Sequence, residues 1–454
     1  MDRASDRLSR RRFLHLMSGA AASAALAACG LAPAAGESPT AASGASAPAT
    51  AGGRPVTLEF WFGEPPENGP QALADAFMAR HPEIKVNATR YVNDDTGNTK
   101  LDTALQGGAP IDVFMSYGIP RLGQRITAGA ALDLSPLIAA DPAISAWVAE
   151  NPNLFAYQGK HFSLPTVSEP AGVLINQDLL AAAGMSVPER WTIEEFRDMA
   201  GQLSADGVYG AYMPPDIARM TLGSNYWYAP DGSSSNFAHP AFHQWMTLWR
   251  EMVDEGSAFP WTEVLAQNLR TYQQNVFLTG QVALWPASQF NLRYVNDLEK
   301  YPHDFKTSFA PLPTLPGVEP QYNTGGLAND VLISARSAHP DAAWEFLKFR
   351  LTEGAHYMLK SSKAPAFPGT DPAVIEDGIL GPNKDTLYDV AAYRRAYLAP
   401  GLPLISDTVI TGSAEILKVV EQQQDRCLIG ETSVEECLAT IKREADAAIA
   451  RSGA

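Results

Sequence analysis

The chain of 454 residues carries 50 acidic against 34 basic side chains, a formal net charge of −16. That balance argues against nucleic-acid binding and against a broad basic lipid-binding surface, both of which need clustered positive charge. The length is more than one hydrophobic core usually holds, so two lobes are expected.

The N-terminus places Ser9-Arg10-Arg11-Arg12-Phe13-Leu14 before an Ala-rich, mildly apolar run from Phe13 to Ala28. The run is shorter than the ~20 residues a membrane-spanning helix needs, and the pattern reads as an export signal of twin-arginine type. It closes with Leu26-Ala27-Ala28-Cys29-Gly30, which resembles a lipobox: small residues admit the peptidase, and only a Cys sulfur can take the diacylglycerol thioether. Residues 1–29 are therefore expected to be a lipoprotein signal ending at the lipidation residue Cys29. Residues 30–54 are Ala, Gly, Ser, Pro and Thr with almost no large apolar side chain. They cannot bury enough surface to offset their ordering entropy, and are expected to form a tether.

In the body, Val56 to Phe62 alternates like a strand, and Leu73, Ala76 and Phe77 mark a helix face that ends near His81-Pro82. Ile84, Val86 and Ala88 alternate again, Lys100 to Gln106 is helical until Gly107-Gly108, and Ile111 to Met115 is a short buried strand. This order predicts an α/β layer with a mostly parallel sheet. Thr192 with Glu195 three residues on forms a capping box that opens a helix. Trp245, Trp249 and Met252 have the helical spacing of core positions, and Pro340 to Phe349 is a further helix. Cys427 and Cys437 lie near the end of one apparent helix (Glu415 to Gln424) and the start of another (Ser433 to Ala450), where a disulfide could pin the turn.

The order of these pieces resembles the family 1 extracellular solute-binding proteins of ABC sugar importers, the maltose- and glycerol-phosphate-binder group. Leu58 to Phe62 is similar to the family's first strand, Phe77 to Val86 to its "F…HP-x-IKV" segment, and Ala104 to Val113 to its "ALASG-x-PDV" segment. Gly129 to Leu134, Gly159 to Pro165, Val173 to Leu180, Phe277 to Leu284, Ala310 to Pro313, and Gly325-Gly326 through the helix at Ala342 to Leu347 continue the series. Asn176-Gln177 stands where the family has Asn-Lys.

The resemblance implies a two-lobe periplasmic-binding-protein fold of type II. Its hinge would cross near Pro165–Ser168, Tyr322–Gly326 and Ser362–Pro365. One lobe would hold residues 55–165 and 325–362, the other 166–324 and 363–454. It also implies a monomer that closes on a small solute, a mono- or oligosaccharide, and hands it to an ABC importer permease without cofactor or metal.

A sugar offers C–H faces and hydroxyls, so aromatic platforms flanked by carboxylates and amides are expected at the cleft. The candidates are Trp61 and Glu64 after the first strand, Tyr117 after the third, and Glu169 where the first crossing enters the second lobe. Asn225 and Trp227 come from the aromatic run Asn225-Tyr226-Trp227-Tyr228, Trp285 and Gln289 from beyond the Gly280 to Leu284 strand, and Gly325 and Gly326 from the second crossing. Rival ligands are a polyol, a glycerophosphodiester or a peptide. A phosphate would ask for Arg or Lys in the cleft, and this list has neither. The remaining rival is a secreted glycoside hydrolase, since an acidic chain always offers carboxylate pairs. No His-Glu-x-x-His, Gly-x-Ser-x-Gly or P-loop motif occurs, and His239-Pro-Ala-Phe-His243 lacks the Glu of a zinc pair.

Overall fold

The computed structural model describes residues 55–205, 207–399 and 401–452. The expected signal, lipidation residue Cys29 and tether lie outside them.

Ten strands form two sheets: β1 (Val56–Phe62), β2 (Ile84–Arg90), β3 (Val113–Ser116), β4 (Leu164–Glu169), β5 (Ala171–Asn176), β6 (Tyr209–Ala211), β7 (Val282–Ser288), β8 (Thr307–Ala310), β9 (Gly326–Ile333) and β10 (Ala364–Pro365). The first sheet has the order β10-β4-β9-β3-β1-β2 and the second β6-β7-β5-β8. β1 pairs in parallel with β2 and β3, joined by helices Pro70–Arg80 and Asp95–Gln106. β9 returns antiparallel between β3 and β4.

The alternation in β1 sends Leu58, Phe60 and Phe62 into one core with Phe77 and Phe346. Trp61 goes to the opposite face, beside a second cluster around Leu101, Leu122 and Phe155. The second lobe has its own core, in which Trp249 meets Trp261 edge-on at 5.0 Å between ring centroids. Thr192 and Glu195 exchange both bonds of a capping box at the start of helix Ile193–Leu203.

The two sheets are consecutive in the chain at one residue. β4 keeps register with β9 as far as Glu169 opposite Gly326, Pro170 follows, and β5 begins at Ala171 in the other sheet. The first passage between lobes therefore lies at Pro170 and not at Pro165–Ser168, because Pro165 sits in the ladder opposite Asp330 without breaking it. The third passage runs through the expected stretch: β10 pairs with β4 of the first sheet and Phe367 packs against Trp147 of the first lobe at 5.5 Å, while Leu359 and Ala364 already reach the second core ahead of Ile379 and Leu380. Residues 166–169 and 363–365 thus belong with the first sheet.

The second passage is held by Asn323. Its Oδ1 accepts from the Ala171 N–H at 2.9 Å and the Gly325 N–H at 2.8 Å, and its Nδ2 donates to the Ala171 carbonyl at 3.0 Å. Gly325 and Gly326 follow because nothing larger fits: a Cβ on Gly325 would overlap the Glu169 carbonyl oxygen, and one on Gly326 the Ile405 carbonyl oxygen. The lobes also touch away from the hinge, where Ile410 packs against Gly123 in helix Ile119–Thr127.

Cys427 and Cys437, expected to be able to pair, are both free and buried, one near the end of helix Ser413–Leu428 and the other in helix Val434–Ser452. None of the described helices is long and apolar enough to cross a membrane.

Replacing Asn323 with Ala strips partners from three buried backbone groups, each costing about 1–3 kcal/mol when left unsatisfied. We expect Asn323→Ala to lower the urea midpoint by the equivalent of roughly 3 kcal/mol or more at unchanged slope. A midpoint equal to the parent's would refute the clamp.

Candidate functional site

Two adjoining chambers open between the lobes, on either side of the strip where β4 gives way to β5. The larger, about 360 Å³, is bounded by Gly118, Ile119 and Pro120 of the first lobe, by β9, and by Tyr226, Trp227 and Tyr228 of the second lobe. The smaller, about 190 Å³, lies among Glu64, Asn93, Tyr117, Asn329 and Lys363, with Phe290 and Arg293 across from them. Glu169, Gly118 and Ala328 line both.

The smaller chamber is floored by one hydrogen-bonded chain. The Gly63 N–H donates to the Tyr117 hydroxyl oxygen at 2.8 Å, and that hydroxyl donates to Glu64 Oε2 at 2.6 Å. Lys363 Nζ is ion-paired with Glu64 Oε1 and donates to Asn329 Oδ1 at 2.7 Å. Asn329 Nδ2 completes the chain by donating to Glu169 Oε1. Asn329 holds a left-handed backbone, φ 57°, inside a strand, a conformation that asparagine tolerates better than most residues.

Burial alone would raise the Glu64 carboxyl, but the charges of Lys363 and Arg350 and the bonds from Lys363 and Tyr117 outweigh it and hold the group at about 2. Glu169 is raised, since burial there exceeds the pull of Lys363 and the Asn329 bond. Tyr117 is pushed up by burial and by the Glu64 charge.

The larger chamber has an aromatic wall. Tyr226 stacks on Phe242 at 5.6 Å, and the Arg219 guanidinium lies 5.0 Å over the Tyr226 ring. Arg219 also pairs with Asp407 at 2.9 Å and donates to the Thr324 carbonyl at 3.0 Å. Asn225, at φ 57°, ties this wall to the segment after Ile405. Its N–H donates to Asp407, its Nδ2 to Thr408 Oγ1, and its Oδ1 accepts from the N–H groups of Thr408 and Val409.

The structure therefore brings Glu64, Tyr117, Glu169, Asn225, Trp227, Gly325 and Gly326 to the chambers, though with changed roles for some. The side chain of Asn225 is occupied by Thr408 Oγ1 and the Thr408 and Val409 N–H groups, and the two glycines admit neighbouring backbone rather than open space.

Trp61 and Trp285 line neither chamber. Trp61 lies 5.6 Å below the Lys100 ammonium on the far face of β1. Trp285 is mid-strand and fully buried: β7 runs on to Ser288, so the ring points into the core against Phe277 while its Nε1 donates to Gln273. Gln289 is buried beside the chambers, its N–H on the Pro170 carbonyl at 3.1 Å and its Nε2 without a partner among the described residues.

Lys363, Asn329, Arg219 and Arg293 also line the chambers and were not among the expected contacts. The available signal was polar Asn329-Asp330 inside an otherwise apolar β9 run. Three cations line the chambers, so the absence of Arg and Lys that weighed against anionic ligands does not hold.

Two outcomes follow from these charges. Lys363→Met leaves Glu64 buried and unpaired, and should cost about 3–5 kcal/mol; adding Glu64→Gln should recover much of it, as read by a double-mutant cycle. Asp330 is raised to about 6 by burial, despite the bond from Ser163 Oγ. A carboxyl whose folded pKa is raised disfavours the fold as it ionises, so its contribution falls as pH rises from about 4 through about 6. The melting temperature of Asp330→Asn should lose that part of the parent's pH dependence; identical profiles would refute the assignment.

By overall structure the chain is similar to a sugar transporter from Rhizobium etli in an open conformation (21% identity, 86% of this chain and 99% of that chain covered, TM-score 0.68). It is also similar to an ABC substrate-binding protein from Listeria monocytogenes in complex with cycloalternan (19%, 87% and 99%, 0.69). A third is an ABC transporter solute-binding protein from Agrobacterium vitis with bound D-mannitol (19%, 88% and 99%, 0.59). No curated protein matches by sequence. At these identities the likenesses establish the two-lobe fold. The sequence profile of the bacterial extracellular solute-binding proteins matches residues 64–357, more than half of the chain, and the protein belongs to that family.

Proposed function

We propose that the protein captures a carbohydrate between its lobes and delivers it to an ABC importer, binding without turnover. The observation that carries this reading is a two-walled cleft with an aromatic wall (Tyr226, Trp227, Tyr228) on one lobe and a partly buried carboxylate, Glu169, at the hinge. Apolar C–H faces of a sugar ring suit the aromatic rings, and hydroxyls suit Glu169, Glu64 and Tyr117. Glu169 has one oxygen on Asn329 and presents itself to both chambers. Trp227, Tyr117, Glu64 and Glu169 are the ligand contacts in this reading; Asn225, Gly325 and Gly326 shape the walls. Relatives of the same fold bind cycloalternan and D-mannitol, which supports a polyhydroxylated ligand.

The mechanism is hinge closure. The closed form gains ligand contacts from both walls that neither wall supplies alone, and this difference shifts the equilibrium. Export by a twin-arginine signal and anchoring through lipid on Cys29 complete the reading: a monomer held outside the membrane on a leash, within reach of its permease.

A thermal-shift screen of the purified protein against mono-, di- and oligosaccharides and polyols tests the function. A ligand at ~100 times its Kd adds about 2.7 kcal/mol and raises Tm by a few degrees. The shift should disappear in Glu169→Ala and Trp227→Ala. A shift from a peptide and none from any carbohydrate or polyol would sink the substrate class, and hydrolysis of a bound glycoside would sink the binder.

A further inference from the structure

We infer that the smaller chamber accepts an anionic group of the ligand, a carboxylate or a phosphate, with Arg293 as its direct contact. This rests on the carbohydrate reading and adds a charge to it. Arg293 stands in helix Leu292–Val295 of the second lobe. Its guanidinium lies 4.6 Å from the Tyr294 ring centroid and 5.4 Å from that of Phe290, and Nη2 donates to the Tyr294 hydroxyl at 2.7 Å. These contacts orient the planar group, and although its charge is felt by Glu169 it makes no direct hydrogen bond to that or any other carboxylate among the described residues. Arg219 in the larger chamber is the contrast, since Asp407 matches its charge.

Charge around the smaller chamber is out of balance. The acids are Glu64 and Glu169. Against them stand Arg293 and Lys363 on the lining, and Arg350 beneath it. Arg350 is 1% exposed, and none of its three guanidinium nitrogens has a hydrogen-bond partner among the described residues. Three cations face two carboxylates in a chain whose net charge is −16. A surplus charge in a poorly solvated site is unfavourable until a counter-charge enters. A guanidinium fork fits a carboxylate or phosphate with two parallel bonds. The ligand would lay a sugar ring on the aromatic wall, offer hydroxyls to Glu169 between the chambers, and turn its anionic end to Arg293.

Calorimetric titration of the purified protein tests this, using galacturonic acid and its α-1,4-linked dimer, glucose 6-phosphate, and the matched neutral sugars galactose, α-1,4-galactobiose and glucose. The expected result is that an anionic saccharide binds ~10- to 100-fold more tightly than its neutral counterpart, and the uronate and phosphate arms identify which anion. In Arg293→Gln that ratio should collapse toward one, while Arg293→Lys, which keeps the charge, retains part of it. The unliganded melting curve of each variant shows whether it folds. Equal affinity for neutral and anionic members, or a preference that survives Arg293→Gln, overturns the inference and leaves carbohydrate capture standing. Failure of every saccharide, with binding of another solute class, overturns the carbohydrate reading and this inference with it.

Discussion

The molecule depends on how closely three backbones approach one another at the hinge. Glu169, Gly325 and Ile405 come together where any side chain on the glycines would collide with a carbonyl oxygen, and Asn323 supplies the hydrogen bonds that a continuous ladder would otherwise give. Buried backbone groups must find partners, so this amide fixes the second passage in register with the first. Both chambers are bounded by that strip, and Glu169, the last residue of β4, faces each of them. The position of this carboxylate between the chambers is thus a consequence of hinge packing.

Much of the fold was legible because several elements in both lobes carry a local signal. β1 begins and ends as its alternation indicates, helix Pro70–Arg80 stops at His81 before Pro82, and the capping box at Thr192 forms with both bonds. The passages were less legible. Pro165 looks like a strand break in sequence, yet it sits in the ladder opposite Asp330, and no local pattern marks which sheet a short strand such as β10 will join.

The site was legible only in part, for a related reason. Trp285 has the composition of a ligand platform, but its environment is set by the length of β7, which runs beyond Leu284 and turns the ring into the core. Lys363 has no motif around it. It becomes a central residue only when β10 brings it beside Glu64, 299 positions away in the chain, and beside Asn329. Charges that meet across such separations are a property of the assembled hinge, and composition summed along the chain conceals them: an acidic protein can hold a cationic niche.

The clamp made by Asn225 has a bearing on release. Its side-chain groups are committed to Thr408 and Val409, so the aromatic wall is rigid and its ordering entropy is charged to folding instead of to capture. Rigid on one lobe, the wall loses the opposite lobe's contacts together when the hinge opens. In the proposed mechanism, unloading is then a single cooperative step governed by hinge angle, with residence time set by how long the lobes stay shut.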